Sequence, residues 1–130
     1  MRRAECNEGS VWEAVMFAAH HRLSSLVAIV DANGQQAFGY TEDVLSLSPL
    51  VDRWRAFGWD AREADGHDVE GLTRALNALE TSAPGPPHVL IAKTTFGKGV
   101  SFMEGRIKWH YWPMSEDEHR LAVDEVEAHP

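Results

Sequence analysis

The sequence predicts an α/β fold in which a mostly parallel sheet is flanked by helices. Two apolar segments, 26–31 and 88–94, are typical of strands that are buried on both faces. Segments with apolar residues at helical spacing alternate with these runs along the chain. This alternation favours a parallel sheet, and ligands of such sheets bind beyond the carboxyl ends of the strands.

The first part of the chain predicts a helix, a strand and a loop. Residues 8–22 carry an apolar stripe at helical spacing, and Asn7 or Ser10 could cap the start of this helix. The first strand, 26–31, ends in an aspartate. Residues 32–36 have the composition of a turn or loop.

The middle of the chain predicts two further helices around a short strand. The dipeptide Ser48-Pro49 indicates a helix start with the serine as cap, and Gly58 ends this helix. A short strand is expected over 59–64. The third helix follows, with its apolar positions between 69 and 79 on one face.

The last part of the chain predicts a strand, a long loop and an acidic helix. The strand 88–94 is apolar at its centre, whereas 96–113 shows no clear period. The final helix covers 115–127. Ser115 and Glu118 have the spacing of a capping box at its start.

Composition limits the kinds of partner. The chain has 130 residues, 44% of them hydrophobic, and a formal net charge of −8, so one soluble domain is expected and neither nucleic acid nor an anionic membrane is a favoured partner. A single cysteine excludes an intrachain disulfide and favours a cytoplasmic setting. We find no signal peptide, and no apolar run is long enough to cross a bilayer.

Three residues could carry chemistry, each with a plainer alternative. Asn33 follows the first strand and could bind a hard cation such as magnesium, but Asn-Gly also marks ordinary turns. Glu8 lies in the first helical turn, where a carboxylate complements the helix dipole. His110 lies between aromatic residues and could contact a phosphate or move a proton, or be a partly packed surface histidine.

Several motifs, in a fixed order, span nearly the whole chain. They are ECNEGSVWEA at 5–14, MFAAHH at 16–21, AIVDANG at 28–34, WRAFGW at 54–59, DGHD at 65–68, GKGVSFME at 97–104 and KWH at 108–110. Through this combination the chain resembles the N-terminal, thiamine-diphosphate-binding subunit of split-gene transketolases. Each motif alone is unspecific, whereas their order is highly specific.

The resemblance implies a domain that holds thiamine diphosphate through a divalent metal, Mg²⁺ or Ca²⁺. Asn33 would ligate the metal and contact the diphosphate, and the carbonyl of Gln35 would be a second metal ligand. His110 corresponds to a loop histidine that contacts the diphosphate and the sugar substrate. Glu8 corresponds to a glutamate that couples paired active sites near a subunit interface. Ala4 takes the place of a glycine at which the backbone approaches phosphate.

The chain departs from the family pattern at its start. The Gly-Asp-Gly of the family motif falls on Arg2-Arg3-Ala4, so Arg3 replaces a metal-binding aspartate and brings a charge that repels a metal. Tyr111 replaces a glycine and adds bulk beside the diphosphate. Residues 1–5 cannot supply the apolar strand that should precede the first helix. We therefore expect 1–130 to be the C-terminal portion of a pyrophosphate-binding domain, truncated at its N-terminus.

Two functions follow from the resemblance. The first is a transketolase-like component that transfers a two-carbon ketol unit between sugar phosphates, with a pyrimidine-binding subunit or domain as partner in a homo- or hetero-oligomer. The alternative is an inactive truncated remnant or an interaction module. For the isolated chain we expect no activity, no useful affinity for thiamine diphosphate, and apolar surface left exposed.

Overall fold

The computed structural model describes residues 1–128 and has the predicted α/β architecture. The helices are α1 (Gly9–His20), α2 (Thr41–Leu45), α3 (Leu50–Ala56), α4 (Val69–Asn77) and α5 (Glu116–Ala128), and two 3₁₀ helices cover Arg3–Asn7 and Ile107–His110. The strands are β1 (Val27–Ala32), β2 (Gln35–Gln36), β3 (Gly39–Tyr40), β4 (Asp60–Asp65) and β5 (His88–Lys93).

The main sheet has three parallel strands in the order β1-β5-β4. Its register is in step, since His88 lies opposite Val27 on one side and Asp60 on the other. The central strand β5 is buried from His88 to Ala92, as its apolar sequence predicts for a strand covered on both faces. The carboxyl ends of the three strands therefore lie at one edge of the sheet.

The first two residues continue the sheet beyond β1. The amino group of Met1 donates to the carbonyl of Ile29 at 2.8 Å, and the Asp31 N–H donates to the carbonyl of Met1 at 2.8 Å. Arg2 forms an isolated parallel bridge with Asp31. Residues 1–5 thus supply no strand, as expected, but they bring the 3₁₀ helix Arg3–Asn7 to the carboxyl end of β1.

Tryptophans hold the core between α1, α3 and the sheet. Trp54 is 1% exposed, and its ring centre lies 5.8 Å from that of Trp12 and 4.7 Å from that of Trp59. The indole N–H of Trp59 donates to the carbonyl of Val15 at 2.9 Å, which ties α3 and β4 to α1. Cys6 is fully buried in this core, and burial raises the pKa of its thiol to about 11.

Some predicted helix caps are confirmed. Ser115 and Glu118 form the expected box, with the Ser115 N–H donating to the Glu118 carboxylate at 2.8 Å and the Glu118 N–H donating to the Ser115 hydroxyl at 3.2 Å. Gly58 follows the end of α3 with a φ of +88°, a conformation that glycine adopts without strain.

Other caps are wrong. Neither Asn7 nor Ser10 caps α1, which begins after Glu8 with no side-chain cap. Pro49 rather than Ser48 takes the cap position of α3, again with no side-chain bond, because the Ser48 hydroxyl donates to Glu42 at 3.0 Å.

Apolar side chains remain exposed on α1 and β1. Phe17 is 61% exposed and Ile29 is 47% exposed, in line with the expectation of uncovered apolar surface. No helix among residues 1–128 has the length and hydrophobicity that a membrane span requires.

Candidate functional site

A cavity of about 250 Å³ lies where the first loop leaves β1. Ala4, Asn33, Gln35 and His110 all line it, so the structure brings together the four residues that the resemblance assigned to the cofactor. The remaining lining residues are Arg2, Glu5, Gln36, Ala37 and Phe96. Residues from three separate parts of the chain, 2–5, 33–37 and 96–110, therefore form one site.

A tight turn fixes Asn33 and Gln35. The side-chain oxygen of Asn33 accepts the backbone N–H of Gln35 at 3.0 Å, which is the hydrogen bond of an Asx turn. Gly34 between them has a φ of +77°, where a residue with a Cβ would be strained. The Asn33 amide nitrogen also donates to Asp31 at 3.2 Å. Asn33 is therefore held at both ends of its amide group.

The other strand ends support this turn through Asp31. The hydroxyl of Thr94, just after β5, donates to the second oxygen of the Asp31 carboxylate. Gly66, just after β4, packs so closely that a Cβ there would lie 2.3 Å from the methyl carbon of Thr94. His67 accepts the backbone N–H of Thr95 at 2.8 Å. The DGHD motif thus acts on the site by holding the end of β5 in place.

Two buried glutamines present amide groups without partners. Gln35 is 4% exposed and Gln36 is 8% exposed. Within residues 1–128 both amide atoms of Gln35 and the amide nitrogen of Gln36 lack a hydrogen-bond partner, while the Gln36 oxygen accepts from Asn7 at 3.3 Å. Buried polar groups normally have partners, and leaving one unpaired costs about 1–3 kcal/mol. A polar ligand in the cavity would remove this cost.

Aromatic contacts position His110. Its ring stacks nearly parallel to that of Phe96, with 6.4 Å between ring centres, and lies 4.7 Å from the ring of Tyr111. Its buried Nδ1 has no hydrogen-bond partner in the described part of the chain. The Tyr111 hydroxyl donates to the carbonyl of Ala37, which ties the histidine loop to the loop after β1. The Tyr111 ring is 61% exposed and does not line the cavity, so the expected bulk beside the ligand position is wrong.

Arg3 also differs from the expectation. Its guanidinium donates to Glu42 at 2.6 Å, to Ser48 at 2.9 Å and to Thr41 at 3.2 Å. It therefore points away from the cavity and its charge is paired. Arg2 lines the cavity in its place.

Glu8 lies outside the cavity as well. It is exposed at the start of α1, and its role at a subunit interface stays a prediction.

The residues of the cavity do not fit a divalent metal. Asp31 already accepts hydrogen bonds on both carboxylate oxygens, and the Asn33 oxygen accepts from Gln35. Among residues 1–128 no group of three or more His, Cys, Asp and Glu side chains is placed to hold a metal ion. The guanidinium of Arg2 also lies in the lining, where it would repel a cation. Asn33 and Gln35 are in the predicted place, but their predicted carboxylate partner is missing.

Sequence reasoning missed several lining residues and one supporting residue. Gln36 and Ala37 were part of a loop with no individual signal, and Phe96 opened a segment without a clear period. Thr94, which holds Asp31, could have been found, because it follows a buried strand at the edge where ligands bind.

Comparison with known proteins identifies relatives over the whole chain. Residues 2–130 match the family model described as "Transketolase, thiamine diphosphate binding domain". One of the two subunits named for the apulose-4-phosphate transketolase of Phocaeicola vulgatus is 44% identical over 126 residues, which are 97% of this chain and 44% of that protein. The SqwG subunit of the 6-deoxy-6-sulfo-D-fructose transketolase of Clostridium sp. is 41% identical over 123 residues, 95% of this chain and 44% of that protein.

Solved structures agree with the sequence matches. A transketolase from Campylobacter jejuni superimposes with a TM-score of 0.86 and 28% identity, over 97% of this chain and 20% of that one. The chain thus spans less than half the length of the Phocaeicola and Clostridium relatives and about a fifth of the Campylobacter transketolase.

Proposed function

This chain belongs to the transketolase family, within its thiamine-diphosphate-binding domain, and we propose that it holds the diphosphate end of that cofactor in an enzyme that transfers a two-carbon ketol unit between sugar phosphates. The convergence of Ala4, Asn33, Gln35 and His110 on one cavity carries the proposal. The unpaired amide groups of Gln35 and Gln36 support it, because phosphate oxygens accept hydrogen bonds from such groups.

The chain's own residues would bind and orient. When bound, thiamine diphosphate supplies the carbanion chemistry of ketol transfer, and the protein supplies position and electrostatics. Asn33 is fixed by its bonds to Gln35 and Asp31, so it presents its amide group in one orientation. The Nδ1 of His110 would exchange a hydrogen bond with the ligand or the sugar substrate, and its stacking on Phe96 sets the plane of the ring.

We propose that a second polypeptide completes the active site. A cavity of about 250 Å³ is smaller than the roughly 300–1,000 Å³ of sites that enclose a whole small ligand. It can take the diphosphate but leaves the rings of the cofactor uncovered. Phe38 and Tyr111, close to residues of the lining, are 88% and 61% exposed, and such apolar surface suits a protein partner. The names of the two relatives, which describe each protein as one subunit of an enzyme, further support a partner with a pyrimidine-binding surface.

The proposal leaves out the magnesium or calcium ion that the resemblance implied, because the lining does not fit it. A cytoplasmic location remains part of the proposal and is supported by the single cysteine.

A reconstituted assay tests this function. The chain is mixed with a transketolase pyrimidine-binding subunit, thiamine diphosphate and two sugar phosphates, and ketol transfer is followed by product formation. We expect Asn33→Ala to abolish transfer and Asn77→Ala, at an exposed helix end, to leave it unchanged. Full activity of the Asn33→Ala protein would refute the assignment of the cavity.

The second candidate is an inactive interaction module, which the arginine at the family's aspartate position favours. In that case the chain would still bind the partner subunit in ultracentrifugation, and no sugar phosphate pair would support turnover. The two outcomes separate the candidates without further variants.

A further inference from the structure

The cavity lining carries one guanidinium and one carboxylate. Arg2 provides the positive charge, and among the described residues it forms no ion pair. Glu5 provides the negative charge, and one of its oxygens accepts the backbone N–H of Arg2 at 2.7 Å. The guanidinium is therefore available to a ligand, while the carboxylate is already partly used by the backbone.

The remaining donors face the same space. The amide nitrogens of Gln35 and Gln36 belong to side chains that are more than nine-tenths buried, and neither has a partner within residues 1–128. An amide nitrogen can only donate hydrogen bonds, so these positions call for a ligand with acceptor oxygens. A diphosphate has such oxygens on both phosphorus atoms.

A metal ion would ordinarily connect a diphosphate to carboxylate and amide oxygens. Here Asp31 has both oxygens occupied, Arg3 is turned towards Glu42, and Arg2 occupies the lining. An arginine binds phosphate oxygens directly, through two parallel N–H bonds, and needs no bridging ion.

We propose that this cavity binds a diphosphate group directly, through the Arg2 guanidinium and the amide groups of Gln35 and Gln36, without a divalent metal. The proposal rests on the proposed function for the identity of the diphosphate as part of thiamine diphosphate. The contact chemistry is independent of that function, since inorganic pyrophosphate offers the same oxygens.

Titration with inorganic pyrophosphate tests the proposal. The full chain is titrated by NMR, which also detects weak binding, once with Mg²⁺ and once with EDTA. We expect the same affinity in both conditions. Arg2→Ala should weaken binding roughly tenfold or more, the scale of one lost hydrogen-bonded charge. Arg120→Ala removes an exposed charge on α5 and should change nothing.

Each other outcome overturns the proposal. Binding that requires Mg²⁺ and disappears in Glu5→Gln would assign the carboxylate to a metal. Equal losses in Arg2→Ala and Arg120→Ala would mean nonspecific attraction, and an absence of pyrophosphate binding would leave the cavity without this ligand. Repeating the titration with thiamine diphosphate separates the two proposals. Binding only with Mg²⁺ refutes direct contact but keeps the proposed function, whereas no binding in either condition, even with the partner subunit, refutes that function.

Discussion

Replacing Gly66 by alanine should destabilise the protein through the support of the candidate site. The new Cβ would lie 2.3 Å from the methyl carbon of Thr94 and 2.9 Å from the carbonyl oxygen of Lys93. Glycine is not needed there for a positive φ, so the effect is purely steric. Real Cβ atoms do not approach other atoms this closely, and either the ends of β4 and β5 must separate or Thr94 must rotate.

The size of the effect follows from what Thr94 would lose. Rotation breaks its hydrogen bond to the Asp31 carboxylate, and a bond to a charged group contributes about 1.5–3 kcal/mol. The added methyl group restricts the unfolded chain and offsets about 0.4–1 kcal/mol. We therefore expect Gly66→Ala to lower the free energy of unfolding by about 1–2 kcal/mol, within the range known for overpacking.

Urea denaturation followed by tryptophan fluorescence measures this change. Gly85→Ala is the matched control, because the nearest atom to its new Cβ is 3.8 Å away. In the double variant Gly66→Ala/Thr94→Ser the hydroxyl remains and the clashing methyl group is removed, so part of the stability should return. If Gly66→Ala and Gly85→Ala were equally stable, the steric reasoning would be refuted.

Three further predictions concern charge, thiol reactivity and the core. The hydroxyl of Ser46 and the guanidinium of Arg3 lower the pKa of Glu42 from 4.5 to about 2; a lowered carboxyl pKa contributes stability above pH 4.5 that is lost as the pH falls towards 2, so melting temperatures over this window should fall less steeply in Glu42→Gln than in the unmodified protein. Cys6 is buried with a pKa of about 11, so it should resist a thiol reagent at neutral pH in the folded chain and react at once in denaturant, and rapid labelling of the folded chain would contradict its burial. Trp54→Ala should cost about 3–5 kcal/mol in urea denaturation, whereas Trp54→Phe should cost clearly less because the indole N–H has no partner in the described residues; equal losses would show that this ring does not fill the core.

The sequence predicted the main sheet well because burial leaves a local record. A strand covered on both faces must be apolar throughout, and β5 shows this from His88 to Ala92. The short helix α2 was missed, since five residues are too few to display a helical period. The cap of α3 was misassigned because Ser48 has a tertiary alternative, the Glu42 carboxylate, that no local pattern reveals.

The candidate site shows the same division. Asn33 and His110 could be chosen from motifs that resemble a family, and the structure places both in one cavity. The direction of the Arg3 side chain could not, because it depends on Glu42, which lies 39 residues further along the chain. Burial of Gln35 and Gln36 was also hidden, since a polar pair after an Asn-Gly turn looks like exposed loop. That residues 1–130 form only the later portion of a larger domain stays a prediction.

The position of β5 at the centre of the sheet has a consequence for biosynthesis. Neither β1 nor β4 pairs with the other, and both pair with β5, which is the last strand to be translated. At about 5–20 residues per second, a ribosome needs roughly 3–12 seconds to travel from the end of β1 to the end of β5. During that interval the nascent chain carries two apolar strands that have no mate, so it is at this stage of its life that the polypeptide most needs a chaperone.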